Sequence, residues 1–159
     1  MIGQETNGEY LSYHFDYRGS TVALTNSSRQ VVEQFQYSPY GVLLSGDVSK
    51  TPFLFNGLYG VMSDDNGLYY MRARFYSPEI RRFVNRDVLL GKIAEGQSLN
   101  RFAFVTGNPV SFVDPFGLAK YCGSCAPGAY DCLLYGGEIS VVLLLILVIL
   151  VYMMAQCHL

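Results

Sequence analysis

Asp114 is the first residue with chemistry to offer. It sits in the string Asn108 to Leu118, "NPVSFVDPFGL". Asp, Pro115 and Gly117 fall at the first, second and fourth places of a type I turn, the positions those residues prefer. Local chemistry therefore makes this a turn that carries one carboxylate. Just beyond it, Cys122 and Cys125 form a C-x-x-C, a spacing that elsewhere is half a zinc site or a redox pair. No second C-x-x-C or C-x-x-H accompanies it. No metal is expected, and a disulfide, lipidation or unreactive thiols stay open for Cys122, Cys125, Cys132 and Cys157. A third group is basic: Arg72, Arg74, Arg81, Arg82, Arg86, Lys92 and Arg101 stand against Glu79, Asp87 and Glu95. A nucleic-acid surface is one reading of such a run. Arginines at alternating strand positions are also simply solvated or carboxylate-paired. With a net charge of −2 over the chain, no nucleic-acid partner is expected, and nothing calls for a cofactor.

Those residues need elements to position them. The 159 residues include 13 Tyr, 10 Phe, 16 Gly and no Trp, a composition that favours strands and turns. Residues 10–19, "YLSYHFDYRG", superpose on residues 32–41, "VEQFQYSPYG", at an offset of 22. Tyr13 then falls on Phe35, Phe15 on Tyr37, Asp16 on Ser38 and Gly19 on Gly41. An aromatic alternating with a polar residue and closed by a glycine turn is a strand with its bend, so the period reads as repeated hairpins. Between the copies, Val22 and Leu24 alternate up to a Thr-Asn-Ser-Ser turn, and Val31, Glu33, Phe35 and Tyr37 alternate after it. Asn66-Gly67 is another turn signal. The strand expected after it puts Leu68, Tyr70, Arg72, Arg74 and Tyr76 on one face and Tyr69, Met71, Ala73 and Phe75 on the other. Further on, a short helical turn is expected near Ile93 and Ala94, and a strand over Phe102 to Val105.

In combination, "GLYYMRARFYSPEIRRFVNRD" and "LNRFAFVTGNPVSFVDPFGL" resemble the core-associated terminal module of the Rhs and YD-repeat proteins, and the Tyr-rich copies before them resemble YD repeats. The resemblance runs from about Tyr10 to Leu118. It implies a mainly β fold, with antiparallel YD-repeat hairpins forming part of a spiral β-sheet shell and a variable C-terminal region following. In many members of this bacterial polymorphic-toxin class that region is a toxin, released by self-cleavage after the leucine of Asp-Pro-x-Gly-Leu. Carried onto this chain, the scissile bond joins Leu118 to Ala119. Asp114 matches the motif aspartate, Asp87 matches an upstream aspartate, with Val88 where many members have proline, and Arg101 matches an arginine thought to position or charge-balance an aspartate. Some of those members have a second aspartate directly after it, where this chain has Phe102. Hydrolysis by carboxylates needs two of them, one protonated and one ionised. Asp114 and Asp87 are the candidate pair.

Four segments follow from this reading: YD-repeat hairpins over 1–60, the core module over 61–118, a Cys/Gly linker over 119–138 and a transmembrane helix over 139–155. The last reads "ISVVLLLILVILVYMMA", which as a helix of about 1.5 Å per residue reaches the short end of a bilayer span. Tyr121 to Gly137 reads as loop, and no cleavable signal peptide is visible before residue 20. Expected partners are the chain's own C-terminal segment, or a longer YD-repeat chain paired along a β-edge, and a membrane through the C-terminal helix. The location is then a membrane, with the chain as a single-pass C-terminal anchor, or the cell surface or outside, with orientation undetermined. The alternative to self-cleavage is a noncatalytic, membrane-anchored interaction module, or an orphan piece of a larger Rhs protein.

Overall fold

The structure, a computed structural model, describes residues 3–6, 8–90, 93 and 96–122. By its contacts the chain divides into Met1–Ser124 and Cys125–Leu159, and the described residues all lie in the first unit. Residues 139–155, expected to span a membrane, and Cys125, Cys132 and Cys157 lie outside the described residues. Among those that are described, no helix is long and apolar enough to cross a membrane.

The fold is antiparallel β. Strands β1 (Gly3–Thr6), β2 (Glu9–Phe15), β3 (Thr21–Thr25) and β4 (Val31–Gln34) form one meander in chain order. The hairpin β5 (Gln36–Tyr37) and β6 (Leu43–Ser45) follows it. A second meander joins β7 (Met62–Ser63), β8 (Tyr69–Met71), β9 (Arg74–Ser77) and β10 (Arg82–Phe83). The last pair is β11 (Phe112–Val113) with β12 (Tyr121–Cys122). β12 falls in a stretch the sequence assigned to loop.

One turn design recurs. At Asp16, Asn26, Ser38 and Asp64 the residue's carbonyl accepts from the backbone N–H three positions on, and its side-chain oxygen accepts from the N–H four positions on. The intervening three residues end in the left-handed region, at Gly19, Arg29, Gly41 and Gly67. This is a type I turn closed by a left-handed residue, a common three-residue hairpin loop. Asp16 and Ser38, paired by the 22-residue offset, are thus the same position of the same turn. The aromatics they were aligned with are buried alike, Tyr13 and Phe35.

The core is aromatic. Tyr76, Phe55, Phe83 and Phe104 are fully buried, and the Tyr76 and Phe104 rings lie 4.2 Å apart between centroids. Buried tyrosines need partners for their hydroxyls. Tyr69 donates to the Gly41 carbonyl at 2.9 Å and Tyr76 to the Tyr40 carbonyl at 2.8 Å, so the turn of the β5–β6 hairpin is bonded to the second meander's core.

Two strand expectations are corrected. The stretch Leu68 to Tyr76 is not one strand: Met71 pairs with Arg74 across a two-residue turn at Arg72 and Ala73, with Arg72 at φ 54°. Parity flips at the turn, so Tyr69, Met71, Arg74 and Tyr76 are buried while Tyr70, Arg72 and Phe75 are exposed. Phe102 to Val105 is not a strand either. Val105, Thr106 and Gly107 all have positive φ and close a left-handed turn, a conformation that costs β-branched residues free energy. Of the helical turn expected near Ile93 and Ala94, Ala94 lies outside the described residues, and a 3-10 turn is found at Gly96–Leu99.

Candidate active site

Asp114 begins a fifth copy of the recurring turn. Gly117 N–H bonds to the Asp114 carbonyl at 3.2 Å, Leu118 N–H to Asp114 Oδ1 at 3.0 Å, and Gly117 has φ 66°. What differs is an addition: Ala119 N–H also donates to Asp114 Oδ1, at 3.1 Å. One carboxylate oxygen therefore accepts both the N–H of Leu118 and the N–H of the Leu118–Ala119 peptide bond.

The turn is held against the tight turn of β8 and β9. Ala73 N–H donates to the Phe116 carbonyl at 3.3 Å, and the Arg72 guanidinium lies 4.6 Å from the Phe116 ring centroid and bonds the Pro115 carbonyl. A Cβ at position 117 would stand 2.7 Å from the Met71 carbonyl oxygen. Only glycine satisfies both that approach and the left-handed backbone.

Arg74 joins the sequence candidates. Its Nη2 lies 2.9 Å from Asp87 Oδ2 and 3.4 Å from Asp114 Oδ2, so both carboxylates share one nitrogen. Its Nε donates to the Gly117 carbonyl at 2.5 Å, its Nη1 to the Arg101 carbonyl at 3.1 Å, and its guanidinium rests on the Phe83 ring at 3.6 Å. Arg74 is 5% exposed and Asp114 3%. Asp87 keeps more solvent contact, with 16% of its side chain accessible, and its Oδ1 caps Leu89 N–H at 2.8 Å.

Arg101 meets Asp87 through its backbone and not through its carboxylate. Among the described residues, Arg74 makes the ion pairs to Asp87 and Asp114. Arg101 Nη2 instead donates to the Asp87 backbone carbonyl, and its own carbonyl accepts the Asp87 N–H at 2.9 Å. It fixes the backbone beneath the carboxylate. Phe102, at the position where a second aspartate was looked for, is 37% exposed. The second carboxylate beside Asp114 is Asp87.

Burial sets the electrostatics. It pushes the Asp114 carboxyl up to about 7, with the charge of Asp87 adding to the rise, while Arg74 and the two turn amides act in the opposite sense. Burial likewise lowers Arg74, and the two carboxylates oppose it. The Tyr121 hydroxyl is raised, chiefly by burial and then by the Asp114 charge. A carboxyl that titrates near neutrality beside a second, more solvated one is an arrangement suited to paired acid–base work. The described residues hold no cluster of His, Cys, Asp and Glu suited to a metal ion.

No family model matches the chain. The tRNA3(Ser)-specific nuclease WapA of Bacillus spizizenii is 28% identical over 121 residues, which are 74% of this chain and 5% of that protein. Double-stranded DNA deaminase toxin A of Burkholderia cenocepacia is 33% identical over 125 residues, 75% of this chain and 8% of the toxin. Among solved structures, the crystal structure of TcdB2-TccC3-Cdc42 matches at a TM-score of 0.62 and 28% identity, over 72% of this chain and 5% of that one. The chain thus spans a small fraction of the length of these relatives.

Proposed function

On the premise that its relatives are Rhs and polymorphic-toxin-type proteins, we propose that this chain is an Rhs core module that cuts itself between Leu118 and Ala119. Its YD-repeat hairpins are then part of a spiral shell, with the core module over 61–118 closing it and residues 119–159 as the separated segment. The relatives carry the names of a tRNA nuclease and a DNA deaminase. A segment similar in both is better suited to a service common to them than to either named reaction.

The observation that carries the reading is the position of Asp114 Oδ1, within 3.1 Å of the Ala119 nitrogen, with Asp87 on the same arginine nitrogen. In the proposed step Asp87 takes a proton from water as its oxygen adds to the Leu118 carbonyl carbon. Asp114, protonated, gives its proton to the Ala119 nitrogen as the C–N bond breaks. The Leu118 acid so formed gives its proton to the Ala119 amine, Asp87 returns its own to solvent, and the products are the Leu118 carboxylate and the Ala119 ammonium beside an ionised Asp114. Arg74 and Arg101 are positioning residues. Intact-mass measurement of the purified chain should find fragments 1–118 and 119–159, with Asp114→Asn and Asp87→Asn left whole. An uncut wild-type chain under folding conditions sinks the idea.

A second reading is favoured by a different observation: β1 ends its sheet's strand order, and sheet ends offer unpaired backbone groups. On it the chain is a noncatalytic module, or a piece of a longer Rhs protein, that pairs with another YD-repeat chain through this edge and is held at a membrane by residues 139–155. Carbonate extraction tests the anchor, and passage of all the protein into the soluble fraction counts against it.

A further inference from the structure

The contacts that hold residues 119–122 do not depend on the Leu118–Ala119 bond. β12 is paired with β11 in register, Tyr121 opposite Val113 and Cys122 opposite Phe112. The Tyr121 ring meets the Phe116 ring edge-on, with centroids 6.0 Å apart. Lys120 Nζ lies 3.1 Å from Thr106 Oγ1 and 5.1 Å from the Phe112 ring centroid. Every one of these partners lies before position 118 in the chain, on the far side of the proposed cut. At its head, the Ala119 nitrogen already rests on Asp114 Oδ1, while Asp114 Oδ2 faces Arg74.

Breaking the bond would turn the Ala119 amide into a primary amine that is cationic at neutral pH, without moving its nitrogen. A neutral hydrogen bond to Asp114 would become a charge-assisted one, roughly twice as strong. The carboxylate of Asp114 would then stand between the Arg74 guanidinium and the new ammonium, with one oxygen toward each. The edge of β11 and the Phe116 ring would receive the residues that follow, as an extended peptide is received by an open strand. From this geometry we infer that Asp114, the β11 edge and Phe116 form a binding site for a free peptide amino terminus, whose first occupant is the Ala119–Cys122 segment. The inference rests on the cleavage reading. It separates cutting from letting go, since the module that makes the new terminus also holds it.

Fragments and their association are read separately. Native mass spectrometry of the self-cut chain should find 1–118 and 119–159 together. The Ala119 α-amine should then react with an amine-acylating reagent roughly tenfold more slowly in the folded complex than after denaturation, the ratio that about 1.4 kcal/mol of holding contact gives. In cut Tyr121→Ala protein that protection should be lost, which retention by an apolar tail alone would not produce. Fragments that form but separate, or an Ala119 amine as reactive folded as unfolded, overturn the captured terminus and leave the cleavage reading standing. No fragments at all in the wild type removes the cleavage reading, and the inference with it.

Discussion

At the scale of single residues, Asp114 is governed by a contest between burial and its partners, and burial prevails. Its carboxyl is held at about 7 in the fold against 3.8 ordinarily. Between those values the unfolded chain has given up this proton and the folded chain keeps it. Folding stability contributed by the group therefore falls as pH rises through the window and levels off above about 7. Asp114→Asn should remove that slope, so that its stability relative to wild type improves steadily from pH 4 to 7 in denaturant titrations. Self-cleavage, needing the protonated form, should slow above about pH 7 by roughly tenfold per unit. Arg74 carries the largest stability stake, because removing it leaves two carboxylates on one vacated site. Arg74→Met should cost about 3 kcal/mol or more in chemical denaturation at pH 7.5. Asp114 and Asp87 were legible from motif and resemblance. Arg74 was not, because alternation counted through Arg72 and Ala73 assigns it to the same face as the exposed Arg72, and a two-residue turn without Gly, Asn or Pro announces itself to no local rule.

At the scale of elements, the three-residue turn is the unit that sequence conveys best, since a polar first residue and a glycine fourth are both demanded by its geometry. Asn26 to Arg29 is the exception that tests this. Arg29 occupies the left-handed position at φ 62°, where an L side chain costs roughly 1–2 kcal/mol and glycine does not. Arg29→Gly should therefore raise stability by about 0.5 kcal/mol after the entropy of the added glycine is subtracted. Gly117→Ala should do the reverse, by about 2 kcal/mol, since it combines the same strain with a 2.7 Å approach to the Met71 carbonyl. Midpoints of urea denaturation check both. The left-handed turn over Val105 to Gly107 was illegible because Val105 and Thr106 are both β-branched and read as strand.

At the scale of the whole molecule, the mainly β architecture followed from aromatic and glycine content together with the 22-residue offset, and the structure bears out that coarse reading. What composition does not convey is how the β5–β6 hairpin meets the second meander, which depends on single hydroxyls such as those of Tyr69 and Tyr76 reaching across to turn carbonyls. A sheet that ends at β1 should associate. Sedimentation velocity over a wide concentration range should find species larger than the monomer, and a monomer throughout would argue that the edge needs no partner.

The recurrence of one turn also supplies the molecule with internal controls. The same backbone path is built on aspartate at 16 and 64, on asparagine at 26 and on serine at 38. Folding of this loop is thus indifferent to whether the accepting oxygen is charged. At position 114 an amide or a hydroxyl would close the loop as well as a carboxylate does. A chain with Asn or Ser there that folds but stays whole would assign the requirement for acid to reactivity, with the other four loops as the reference for what architecture alone asks.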